Sequence, residues 1–94
     1  MNHEPPTMNN LLKLRIISPK QTIFEGPVYS VSGVNFAGKF DILPAHANFI
    51  TLIENQPINI KKISGEIETF KFPLAIVYTQ KDQVNIYTDI KKLI

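Results

Sequence analysis

Gly38-Lys39-Phe40-Asp41-Ile42-Leu43-Pro44-Ala45-His46-Ala47-Asn48-Phe49-Ile50-Thr51-Leu52-Ile53 places two apolar runs around a five-residue corner. The first run, 40–43, ends at Leu43, because proline fixes its own φ and drives the residue before it out of the helical region. The second, 49–53, is rich in β-branched and aromatic residues and reads as a buried strand. Neither run has the length of an ordinary helix. The corner between them carries a histidine, His46.

The same grammar extends in both directions. Upstream, Leu12, Leu14 and Ile16 alternate with Lys13 and Arg15, the period of a half-buried strand. Ser18-Pro19-Lys20-Gln21 makes a turn, residues 22–25 resume extended structure, and Gly26-Pro27 breaks or bulges it. Residues 28–32 form a further strand, with Val28, Ser30 and Ser32 on one face and Tyr29 and Val31 on the other. Residues 33–39 read as a connection. Phe36 in its middle is a plug over the core or an exposed contact, and loop aromatics usually tuck in.

Downstream, 54–57 is a turn, 58–61 alternates, and Ser64-Gly65 signals a hairpin. Residues 66–72 return. Their apolar face changes between Ile67 and Phe70, which predicts a bulge. Pro73 interrupts. Residues 74–79 are apolar enough to be buried on both faces, Lys81-Asp82 turns the chain, and 84–88 is the last strand. Residues 89–94 carry a helix start capped by Thr88 or Asp89, too short to be stable alone. The pattern predicts an all-β domain, a sandwich or flattened barrel of about ten strands with little or no helix, over residues 11–89. Residues 1–10, with Pro5-Pro6 and no apolar period, and residues 90–94 are expected to be tails.

Composition narrows the function classes. A chain of 94 residues with 44% apolar content suits one domain with one modest core. No apolar run reaches the roughly 18 residues of a membrane-crossing helix, so a soluble, unexported protein is expected. With no cysteine there is no disulfide and no thiolate chemistry. The net charge of +2 is small, and apart from the pairs Lys61-Lys62 and Lys91-Lys92 the ten cations are scattered, which argues against a nucleic-acid stripe.

Reactive constellations are equally sparse. The four glycines form no phosphate loop, and the two histidines are too far apart for metal-ligand spacing, His3 lying in the tail. A dyad of His46 with Asp41 is conceivable, but it lacks a nucleophile and an oxyanion hole. No catalytic residue, metal or cofactor is therefore expected. Tyr29, Tyr78 and Tyr87 are either stacking platforms of a binding module for peptide, glycan or single-stranded nucleic acid, or strand-packing residues with polar tips.

Residues 38–48 resemble the Gly-Glu-Phe-Gly-Ile-Leu-Pro-Gly-His-Ala-Pro signature of the epsilon subunit of F-type ATP synthase, whose mitochondrial counterpart is called delta. The flanks are similar too: Ile17-Ser18-Pro19, Ile23-Phe24-Glu25-Gly26, Ile58-Asn59-Ile60 and Val84-Asn85-Ile86-Tyr87-Thr88-Asp89 fall in order, so the likeness covers about residues 11–89. The resemblance implies a β-sandwich of about ten strands. It also implies a non-catalytic stalk subunit that links the gamma shaft to the c-type rotor ring, peripheral on the energy-coupling membrane without inserting into it. That places it on the cytoplasmic side in a bacterium, or the matrix or stroma side in an organelle. By position in the signature, Ala45, His46 and Ala47 are the implied gamma contacts, and Phe36 and Lys39 the implied ring contacts. Asp41, Ala45 and Asn48 stand where the signature has glycine, glycine and proline, and Lys39 reverses an acidic charge. Alanine at 45 requires the corner to avoid strongly positive φ or to accept strain. Family members commonly continue into two helices that inhibit ATP hydrolysis. The chain ends at Ile94, so the resemblance implies coupling without that inhibition.

Overall fold

The computed structural model describes residues 11–45 and 48–89. It contains eight strands: β1 (Leu12–Ile17), β2 (Thr22–Asn35), β3 (Gly38–Ile42), β4 (Phe49–Ile53), β5 (Pro57–Lys62), β6 (Ile67–Lys71), β7 (Ala75–Gln80) and β8 (Gln83–Thr88). The described residues include no helix, and none long and apolar enough to cross a membrane. The predicted helix start at 89–94 lies outside the described residues except for Asp89.

The strands form one sheet in the order β4-β7-β8-β1-β2-β5-β6, with β3 added to β2. All pairs are antiparallel except β1 with β8. The sheet curls so that one continuous core gathers side chains from seven strands: Leu12, Leu14 and Ile16 of β1, Val28 and Val31 of β2, Ile42 of β3, Ile53 of β4, Ile58 and Ile60 of β5, Ala75 and Val77 of β7, and Val84 and Ile86 of β8. This is the predicted all-β sandwich. Its strand count is lower than expected because segments merge. Gly26-Pro27 does not end a strand: Gly26 pairs with Leu14 and Pro27 with Lys13, within a 14-residue β2. Pairing with β5 begins only at Val28, so Pro27 has a neighbour on one side alone, where a missing N–H is tolerated.

Beyond Pro27, β2 departs from simple alternation. Its register with β5 slips between Val28 and Ser30. The extra residue, Tyr29, lets both Val28 and Val31 enter the core, so the predicted assignment of these two to opposite faces is corrected by a bulge. The bulge expected between Ile67 and Phe70 is absent, because the β5–β6 register is unbroken. Phe70 instead turns inward onto Phe24 (ring centroids 6.4 Å, edge-on) and Phe72 (6.0 Å, stacked), while Ile67 stays exposed on the outside. At the β5–β6 hairpin the Lys62 ammonium lies 2.7 Å from Glu68. That hydrogen bond is the main reason its pKa rises above the ordinary lysine value, and desolvation opposes the rise.

One core position is imperfect. Thr79 is buried, and its Oγ1 has no hydrogen-bond partner among the described residues. Thr79→Val removes an unpaired hydroxyl while keeping the shape. It is expected to raise stability by about 1 kcal/mol, read as a higher unfolding midpoint in urea with an unchanged slope.

Candidate functional site

The two most apolar strands are not buried as expected. In β4 only Ile53 is fully buried; Ile50 and Leu52 point outward, 66% and 50% exposed. In β7, Ala75, Val77 and Thr79 face the core, while Ile76 is half-buried and Tyr78 exposed. A curled sheet has only one inner face, so a strand apolar on both faces must present one of them outward. Register shows which residues share that outer face. Leu52 lies opposite Ile76, Ile76 opposite Tyr87, and Tyr87 opposite Ile17. Ile50 lies opposite Tyr78. An apolar band therefore crosses β4, β7, β8 and β1. On the outside of β2, β3, β5 and β6 the corresponding rows are mostly polar: Asp41, Ser32, Asn59 and Thr69 in one, Ser30 and Lys61 in another that ends in the exposed Ile67. There Ser32 donates to Asp41 (2.5 Å) and Thr69 to Asn59 (2.7 Å).

At the edge of the apolar band an open groove of about 600 Å³ is lined by Val34, Phe36, Ile50, Leu52 and Ile76, with Glu54 and Gln56 at its polar end. Phe36 is no core plug. It is 100% exposed, at the tip of the β2–β3 hairpin. The tip holds it there: the Asn35 side-chain Oδ1 accepts the Ala37 N–H (2.9 Å), and its Nδ2 donates to the Thr51 hydroxyl (3.0 Å). Five residues of the expected connection, Gly33, Val34, Asn35, Gly38 and Lys39, pair as strand instead. At Gly33 a Cβ would lie only 2.9 Å from the Phe40 ring and 3.0 Å from Ile53, so any other residue would have to push these side chains aside. Lys39 is exposed on β3, opposite Val34.

At the other end of β4 lies the proline corner. Ala45 takes a φ of 65°, the left-handed conformation that its substitution for glycine made costly. Its N–H donates to the Asp82 carboxylate at 2.6 Å. His46 and Ala47 lie outside the described residues. The Asp41 carboxylate is engaged by Ser32, and the described residues contain no cluster of three metal-ligating side chains. Of the tyrosines, Tyr78 and Tyr87 share the apolar band, Tyr78 donating to Gln80 (3.1 Å), while Tyr29 sits apart at the bulge. Sequence reasoning named Phe36 and Ala45 but missed Ile50, Leu52 and Ile76 between them. The signal was present: a strand apolar on both faces in a chain too small to sheathe it twice.

The architecture is that of a small all-β domain, a curled sheet with one mostly polar outer face and one apolar one. The chain matches, over residues 11–91, the family described as ATP synthase, Delta/Epsilon chain, beta-sandwich domain, and it belongs to that family. It is 39% identical over 82 residues to the ATP synthase epsilon chain of Wolinella succinogenes, a match covering 87% of this chain and 63% of that one. It is 34% identical over 91 residues to the epsilon chain of Ureaplasma parvum, covering 93% and 65%. The chain thus spans slightly less than two thirds of the length of these relatives. In fold it is similar to a chain in the cryo-EM structure of the Euglena gracilis mitochondrial ATP synthase OSCP/F1/c-ring assembly (TM-score 0.79, 12% identity, 93% of this chain and 56% of that one).

Proposed function

We propose that this chain is a non-catalytic subunit of the central stalk of a rotary F-type ATP synthase. In this reading it joins the gamma shaft to the membrane rotor ring, so that torque from ion flow reaches the catalytic head. It sits peripherally on the energy-coupling membrane, on the cytoplasmic side in a bacterium or the matrix or stroma side in an organelle. Family membership supports the assembly. The observation that carries the docking role is the apolar outer face of β4 and β7, where Ile50, Leu52, Ile76 and Tyr78 adjoin, whereas the opposite outer face is mostly polar with Ile67 as an isolated exception. Contiguous exposed apolar surface of this kind marks an interaction site.

Within that reading Ala45, His46 and Ala47 contact gamma, and the gamma-facing surface continues from this corner onto Ile50. Phe36 and Lys39, on the projecting hairpin, face the ring. A preformed sheet presents these groups with little ordering cost on binding. Mixing the chain with its cognate gamma subunit is expected to give a complex that co-elutes on gel filtration. Separate elution of two folded partners refutes the proposal.

A further inference from the structure

We infer that Asp82 is a positioning residue for the proline corner: its carboxylate, accepting the Ala45 N–H, holds a left-handed alanine where glycine would need no help. Three residues of positive φ meet here, Ala45 (65°), Lys81 (49°) and Asp82 (62°). Lys81-Asp82 is the two-residue connection between β7 and β8, with both central residues left-handed. Such turns favour glycine at the second position. An aspartate there is a poorer turn residue, and its side chain crosses 37 positions of sequence to reach the corner at 2.6 Å. Its backbone is anchored as well, because the Asp82 carbonyl accepts the Lys13 N–H at 2.8 Å. Asp82 therefore ties the corner to β1, the middle strand of the sheet.

The two unfavourable choices explain each other. Ala45 carries a Cβ in a backbone region that sterics disfavour, and relaxation to negative φ would turn the peptide plane that leads into residue 46. A bond from an ionised carboxylate to the Ala45 amide is stronger than one between neutral groups, and it forms only when that N–H points toward the β7–β8 turn. Asp82 acts through Ala45, and its consequence for gamma binding rests on the function proposed above.

The test uses the full chain and the variants Asp82→Gly, Asp82→Asn and Asp82→Gly with Ala45→Gly. Glycine at 82 eases the turn, so damage in that variant does not come from turn strain. Hydrogen exchange at the Ala45 amide, followed by NMR, is expected to speed up about tenfold in Asp82→Gly, and less in Asp82→Asn, which keeps a carbonyl acceptor. Affinity for gamma should fall in Asp82→Gly and return largely with Ala45→Gly added, since glycine holds positive φ unaided. Unchanged exchange at Ala45 in Asp82→Gly overturns the inference, as does a loss of affinity that Ala45→Gly does not restore. If exchange responds and gamma affinity is the same in every variant, the positioning stands and the corner is not the gamma contact.

Discussion

An Ile50→Asp variant loses affinity for the gamma subunit by at least about 30-fold, the scale of an interface hot spot, while its thermal unfolding stays near that of the parent chain. The two halves of this expectation separate docking from folding. Ile50 is mostly outside the core, so the substitution removes little buried surface on folding, and an aspartate in a strand carries a penalty within about 1 kcal/mol. In a complex the same carboxylate would be trapped against apolar surface without a partner, which costs several kcal/mol. Leu52→Asp should behave alike. Thr69→Asp, on the polar outer face, should leave binding unchanged. Isothermal titration with gamma reads the affinity and circular dichroism the unfolding. Wild-type affinity in Ile50→Asp means that the apolar face is not the docking surface.

Leu14→Ala has the opposite profile and the largest expected effect on stability. Leu14 is fully buried in β1, the middle strand of the sheet order, with Gly26 of β2 and Val84 of β8 as its register partners. Truncation loses the transfer free energy of the deleted carbons and leaves a cavity, together about 2–5 kcal/mol. A domain of this size is stable by about 5–10 kcal/mol, so the variant sits near the threshold of folding. Urea titration should show a midpoint lowered accordingly at an unchanged slope. A loss below about 1 kcal/mol would mean that the core around β1 collapses onto the gap and is less rigid than its packing indicates.

Much of this architecture was legible in the residues. Alternation marked β1 and β5, turn chemistry marked Ser18-Pro19, Ser64-Gly65 and Lys81-Asp82, and the all-β class followed. What was illegible depends on pairing between distant segments. Gly26-Pro27 resembles a break, and it passes through β2 because β5 first pairs at Val28. The two valines of β2 share the core through a slip in register that no local pattern displays. Phe36 follows the same logic: whether a loop aromatic tucks in depends on where its hairpin points, and the Asn35–Thr51 bond fixes that across 16 positions. The candidate site divides likewise. The corner was visible as a motif. The outer face of β4 and β7 was misread as core, because composition shows that a strand is apolar on both sides without showing that only one side will be covered.

The parallel pairing of β1 and β8 bears on how the domain meets mechanical load. Lys13 lies beside Gln83 and Ile17 beside Tyr87, so the first strand starts where the last one starts, and the two termini of the domain leave at opposite ends of one ladder. A pull between those ends slides β1 along β8 lengthwise. The five registered pairs resist together instead of parting one by one, as a peeled hairpin would. Stretched from its two ends, the domain would therefore meet its load along the whole β1–β8 ladder at once.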